Sequence, residues 1–213
     1  MSDSGAVTQS SALPANEPLQ LFEEWFEEAR ASEPNDPNAM ALATATPDGA
    51  PSVRMVLLKG RPLGDDGHGD GGFIFYTNAE SRKGAEIRAN ARAALLFHWK
   101  SLRRQVRVEG PLSEVSADAA DDYFHSRSRQ SQIASAASDQ SRPLDARSTY
   151  QARVAAIEAE HPEGDIPRPP HWTGFRLEPE SIEFWLDREG RMHDRRRFET
   201  DGKGGWASTL LFP

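Results

Sequence analysis

The period of the apolar residues changes along this chain, from helical spacing near the start to short alternating runs, then to helices again and finally to strands. Between 17 and 32, Leu21, Phe22, Trp25, Phe26 and Ala29 recur at helical spacing, with Glu23, Glu24, Glu27 and Glu28 opposite. That pattern predicts an amphipathic helix lying on an apolar surface. Asn35-Asp36-Pro37 ends it, and β-like runs follow at 39–46, 52–59, 73–77, 93–99 and 105–110. Their spacing predicts an antiparallel meander closing into a barrel. Pro47-Asp48-Gly49 reads as a hairpin turn, and 64–72, with five glycines and three aspartates, as a long flexible connection. Helices are expected at 84–90, 116–124, 130–138 and 145–160, a proline-rich crossing at 162–170, and strands at 174–177, 182–186, 192–198 and 206–211. The expectation is an α+β chain, mainly β, with a barrel and flanking helices. A single domain should cover 17–213, behind a disordered tail at 1–16.

Composition narrows the functions. The chain has 213 residues, enough for one sizeable core, and 25 Lys and Arg against 33 Asp and Glu leave it at −8. General nucleic-acid binding is disfavoured, so its basic residues must be local tools. With no cysteine, disulfides, thiolate nucleophiles and cysteine-ligated metals are excluded, and a cytoplasmic location is the default expectation. Apolar runs never exceed about five residues, against the roughly 20 that span a bilayer. The first 16 residues have no Lys or Arg and no apolar core, unlike a signal peptide. The histidines at 68, 98, 125, 161, 171 and 193 lack paired metal spacing, and no P-loop, G-x-G-x-x-G or G-x-S-x-G occurs.

Several segments carry candidate chemistry. Arg191-Met192-His193-Asp194-Arg195 packs three donors into five residues. On a strand, Arg191, His193 and Arg195 would share one cationic face, serving either as an anion grip or as a solvated edge. Ser81 is the expected N-cap of a helix whose first turn holds Arg82 and Lys83. Cations there are unfavourable unless an anion compensates them, which hints at phosphate. Arg54 and Lys59 bracket Met55, Val56, Leu57 and Leu58. Their odd separation sends them to opposite faces unless the strand bulges, twists or ends between them. Gln105 lies on the face opposite Val106 and Val108, where its amide can meet a heterocycle edge. Tyr123, Arg127 and Ser131 are spaced by four and would share a face if one helix ran unbroken.

Taken in order, R-M-V-L-L-K (54–59), F-Y-T-N (75–78), S-R-K (81–83), R-Q-V (104–106), Y-F-H-S-R-S-R-Q-S-Q-I (123–133), Q-S (140–141), E-F-W (183–185) and R-M-H-D-R (191–195) resemble the pyridoxamine 5'-phosphate oxidase family. The resemblance implies an FMN-binding split β-barrel, antiparallel and Greek-key-like, that pairs as a homodimer with FMN at the interface. It implies FMN contacts from Arg54, Met55, Val56, Leu57, Leu58, Lys59, Tyr76, Thr77, Arg82, Lys83, Gln105, Gln140, Ser141, Trp185 and Arg195, with Arg82 and Lys83 on the phosphate. The substrate, pyridoxamine 5'-phosphate or pyridoxine 5'-phosphate, would meet Lys59, Tyr123, Arg127, Ser131, Arg191, Met192 and His193, with Arg191 and His193 as the catalytic pair. Molecular oxygen would reoxidise the flavin, giving pyridoxal 5'-phosphate and hydrogen peroxide. No metal is implied. Two departures stand out: the usual C-terminal W-x-x-x-R-L-x-P has Leu210 in place of its arginine, and residues 1–18 lack the basic, tyrosine-containing segment of many members. Rival readings are a related FMN oxidase of phenazine formation, or a non-catalytic protein that binds flavin or pyridoxal phosphate.

Overall fold

A computed structural model describes residues 13–15, 17–63 and 72–213. The expected tail at 1–12 and 16, and the glycine-rich connection at 64–71, lie outside the described residues. Helix α1 (Pro18–Ser32) precedes strands β1 (Ala39–Ala45), β2 (Pro51–Leu57) and β3 (Phe73–Asn78), then α2 (Arg82–Ala89), β4 (Arg92–Trp99) and β5 (Arg104–Glu114). Three helices follow: α3 (Ala117–Ser126), α4 (Arg129–Ala136) and α5 (Arg147–Glu160). Strands β6 (Trp172–Leu177), β7 (Ser181–Leu186), β8 (Asp194–Thr200) and β9 (Trp206–Leu210) complete the chain. No helix among the described residues is long and apolar enough to cross a membrane.

Every strand pairing is antiparallel, but the order is not a simple meander. The main path runs β2-β1-β4-β5-β7-β8-β9, while β6 joins β5 to β3. The fork lies within β5: Arg104 to Glu109 pair with β7, and Leu112 to Glu114 pair with β6. At the fork the β6–β7 corner crosses Gly110, where an added Cβ would stand 1.9 Å from the Glu178 carbonyl oxygen. Glu178 N–H donates to Pro111 O (3.0 Å) and Glu180 N–H to Glu109 O (2.9 Å), so the crossing is stitched on both sides of the glycine. The other seam lies just past β2. Leu58 N–H still donates to Asn38 O (2.8 Å), but Lys59 N–H turns to Ile74 O (2.7 Å) and Ile74 N–H to Gly60 O (2.9 Å). This change of partner closes a barrel of β1, β2, β3, β6, β5 and β4, and leaves β7 to β9 as a wing.

The core fills the barrel and the space under α1. Phe22 is fully buried and packs edge-on against Phe73 (4.8 Å between centroids) and Phe97 (5.2 Å), while Trp25 meets Phe184 at 5.2 Å. Leu13, just before α1, is buried with them. A smaller cluster of Phe124, Ile133, Ile166 and Trp172 seats α3 and α4 beside β6.

Two further sequence expectations need correction. The strand expected at 192–198 begins only at Asp194, because Gly190 (φ 64°) and Arg191 (φ 62°) both adopt left-handed backbone within a turn at Glu189–Arg191. Arg191, Met192 and His193 therefore lie on that turn, and their expected alternation with Arg195 on one strand face is not realised. Nor does one helix run from Tyr123 to Ser131. It stops at Ser126, Arg127 is extended (φ −78°, ψ 156°), and Ser128 caps α4 by accepting the Ser131 N–H. A serine that offers its own oxygen to the backbone competes with helix continuation, and here the cap wins.

The fork makes a direct prediction. Gly110→Ala forces a methyl onto a backbone carbonyl that flexible side chains cannot relieve, and should lower stability by about 1–3 kcal/mol or more. Urea denaturation measures it, and a midpoint equal to wild type would disprove the constraint.

Candidate active site

One cavity of about 670 Å³ opens between the strand β2 seam, β3, the start of α2 and the α3–α4 break. Its walls carry Arg54, Met55, Val56, Leu57, Lys59, Tyr76, Thr77, Lys83, Tyr123, Arg127, Ser128, Ser131, Gln140 and Trp172. Four of these are cations and none is a carboxylate, in a chain whose net charge is −8. Such segregation marks a site for an anion.

The local structure shows how the cations arrive together. Arg54 is on β2 and Lys59 lies just past the strand, where the chain changes partner to β3, so their odd separation no longer sends them apart. Ser81 caps α2, accepting the Gly84 N–H (3.3 Å) and donating to Asn78 O (2.6 Å). Two residues on, Lys83 Nζ donates to Gln140 Oε1 (2.8 Å), Thr77 Oγ1 (3.1 Å) and Ser81 Oγ (3.2 Å). These partners are neutral, and burial followed by the nearby Arg54 charge brings Lys83 down to about 8. Arg127, in the extended link between α3 and α4, donates to Ser135 Oγ (3.0 Å) and lies over Trp172 (5.0 Å), and burial lowers it below the ordinary arginine value.

Three rings make one wall: Tyr76 stacks on Tyr123 at 4.1 Å and on Trp172 at 5.3 Å, with planes 19° and 12° apart. Trp172, Ser128 and the carboxylate of Glu86 were not among the sequence candidates. Of these, Glu86 had a readable signal, since it lies four residues beyond Arg82 on the expected helix.

Other candidates lie elsewhere. Arg82 is exposed and its Nε donates to Glu86 Oε1 (2.9 Å) rather than lining the cavity. Leu58 is buried in the core, and Ser141, with φ 74°, faces a neighbouring hollow. Gln105, Trp185 and Arg195 form a row across β5, β7 and β8, since Gln105 pairs with Trp185 and Trp185 with Arg195. Arg195 donates to Glu183 Oε1 (2.7 and 2.8 Å) and to Phe212 O (2.9 Å). His193 tilts over Trp185 at 4.6 Å, and its Nδ1 faces both the Arg188 N–H (3.1 Å) and Asp187 Oδ1 (2.8 Å). Met192 beside it is 73% exposed. Within one chain, then, the candidates fall into a cavity group and a wing group.

Comparison with known proteins places this arrangement. Residues 26–161 match the family model described as pyridoxamine 5'-phosphate oxidase, and residues 172–213 that of the pyridoxine 5'-phosphate oxidase C-terminal dimerisation region. A pyridoxine/pyridoxamine 5'-phosphate oxidase of Novosphingobium aromaticivorans is 61% identical over 204 residues, covering 96% of this chain and 97% of that protein. One from Erythrobacter litoralis is 62% identical over 207 residues, covering 96% and 94%. Among solved structures, PhzG from Burkholderia lata 383, in complex with tetrahydrophenazine-1-carboxylic acid, has a TM-score of 0.84 at 35% identity over 94% of each chain. A pyridoxamine 5'-phosphate oxidase-related, FMN-binding protein from Nostoc punctiforme shares the fold, with a TM-score of 0.73 at 18% identity over 94% of this chain and 100% of that one. With matches that cover nearly its whole length, this split-barrel chain belongs to the pyridoxamine 5'-phosphate oxidase family.

Proposed function

We propose that the chain is an FMN-dependent oxidase that converts pyridoxamine 5'-phosphate and pyridoxine 5'-phosphate to pyridoxal 5'-phosphate, with molecular oxygen as acceptor and hydrogen peroxide released. The observation that carries this reading is the cavity with four cations and no carboxylate. Its polar groups include a hydrogen-bonded set, Lys83 with Thr77 and Gln140, and a further group of donors around the α3–α4 break, which suits two phosphate monoesters in one site. Lys83, Thr77 and Gln140, next to the N-terminus of α2, fit the FMN phosphate. Lys59, Tyr123, Arg127 and Ser131 fit the substrate phosphate. When bound, FMN supplies the two-electron acceptor that no side chain can provide. The protein's part is to orient: the Tyr76–Tyr123–Trp172 stack is a rigid wall, and the cations fix both phosphate ends.

The wing residues reach such a site if a second copy of the chain packs on the outer face of the sheet. Val53, Met55, Leu57 and Leu96 there are 69%, 63%, 40% and 38% exposed, a strip of apolar side chains that calls for a cover. Met55 and Leu57 also line the cavity, so the strip and the site share an edge. In this homodimer the second copy brings Gln105, Trp185 and Arg195 to the flavin, and Arg191, Met192 and His193 to the substrate. His193 is suited to handling the proton lost from the amine or alcohol: with Nδ1–H donating to Asp187 Oδ1, Nε2 is the bare nitrogen that can accept it. The phenazine reading ranks second, because Tyr123, Arg127 and Ser131 line the cavity and give one guanidinium and two hydroxyls, a set suited to the several oxygens of a phosphate.

Two measurements test this. Purified protein loaded with FMN should consume oxygen and release peroxide with pyridoxamine 5'-phosphate; binding of FMN without oxygen consumption would leave only a carrier. Arg127→Ala should raise KM for that substrate by about ten- to a hundredfold, in line with ~1.5–3 kcal/mol for a hydrogen bond to a charged group, while FMN content stays at the wild-type level.

Lys83 sets a pH dependence. Its pKa of about 8 in the free site means that the ammonium is present below that pH and a bound phosphate keeps it there. Above pH 8 the free site has lost the proton and binding must take one up, so FMN affinity should fall by up to roughly tenfold per pH unit. Fluorescence titration from about pH 6.5 to 9.5 should show a plateau and then a decline; an unbroken plateau would refute the assignment.

A further inference from the structure

Glu86 is a nearly buried carboxylate, 5% exposed, on the helix whose first turn carries Arg82 and Lys83. It does not line the cavity, yet it binds two of the cations expected to meet FMN, Arg54 and Arg82. Its Oε1 accepts from Arg82 Nε (2.9 Å), and its Oε2 accepts from Thr44 Oγ1 (2.5 Å), Ser52 Oγ (2.5 Å) and Arg54 Nη2 (3.3 Å). The same hydroxyls hold Arg54 in turn: Nη1 donates to Thr44 Oγ1 (2.6 Å) and to Leu42 O (3.1 Å), and Nη2 to Ser52 Oγ.

We infer that Glu86 is a positioning residue for the FMN phosphate, one that sets both the aim and the net charge of the Arg54, Arg82 and Lys83 cluster. This rests on the FMN reading above. Without the carboxylate, Arg54 at the cavity wall and the exposed Arg82 would lose their shared partner and turn toward water. With it, two positive charges remain, which matches the roughly −1.5 to −2 of a phosphate monoester at neutral pH. The arginines are thereby held in place before the ligand arrives, and this lowers the ordering cost of binding. Glu86 stays ionised in this role: burial alone would raise it, but the Ser52 and Thr44 hydroxyls and Arg82 together hold it at about 2. A tie between α2 and the β1–β2 hairpin is the competing explanation, and it makes a different prediction.

The comparison of FMN with riboflavin separates the two, since they differ only in the phosphate. In fluorescence titrations, Glu86→Gln should weaken FMN binding at least tenfold and leave riboflavin binding unchanged. Glu86→Asp, which keeps the charge but not the reach to both arginines, should lose less affinity for FMN and none for riboflavin, and it serves if the glutamine variant does not fold. Equal losses for both flavins, or no loss for either, would overturn the inference. Wild-type protein that binds neither flavin would instead overturn the FMN reading itself.

Discussion

The rest of the architecture depends on one crowded crossing, where the β6–β7 corner passes over Gly110. There β5 gives its first half to β7 and its last residues to β6, so a single strand belongs both to the barrel and to the wing. Any side chain at 110 would meet the Glu178 carbonyl and push the two apart. The crossing fixes where β6 can lie, and β6 in turn places Trp172 against Tyr76 and closes the barrel on β3. The site is thus an outcome of sheet branching rather than of any one loop.

Charge placement is the second organising fact. An acidic chain concentrates Arg54, Lys59, Lys83 and Arg127 on one cavity and keeps carboxylates off its walls. Most of its other arginines are tied to acids, as in Arg61 with Glu23 (2.7 Å), Arg104 with Glu28 (2.7 Å) and Arg168 with Asp121 (2.7 Å). Pairs with an exposed partner, such as Arg104 with Glu28, add little to stability, but each leaves its cation matched by an acid. Glu86 bonds to Arg54 and Arg82 and does not itself line the cavity.

Much of the element order was legible because burial imposes a period, and the helix and strands from α1 to β5 fall within a few residues of their expected bounds. The Ser81 cap and the cationic first turn of α2 were readable for the same local reason. What alternation cannot show is a change of partner. The Lys59 seam and the β5 fork depend on contacts distant in sequence, and the seam brings Arg54 and Lys59 into one cavity that a straight strand would have separated; the break at Arg127 is a local contest between helix and cap that spacing by four does not register. The Arg191 turn fails in the opposite sense: a left-handed arginine after Gly190 is locally costly, so a reading by propensity prefers the strand. The division of the candidates between cavity and wing was outside the reach of any periodicity argument.

The fork in β5 also sets an order of events in time. Strand β3 gains its full partner only when β6 is available, with Phe73 opposite Leu177, and until then its described strand contact is the bridge from Gly60 to Ile74. Pairings so distant in sequence are slow to form, because the intervening chain must be ordered first. A nascent chain therefore carries β2-β1-β4-β5 as an open sheet with bare edges through the synthesis of three helices, and can close into a barrel only once β6 has been made.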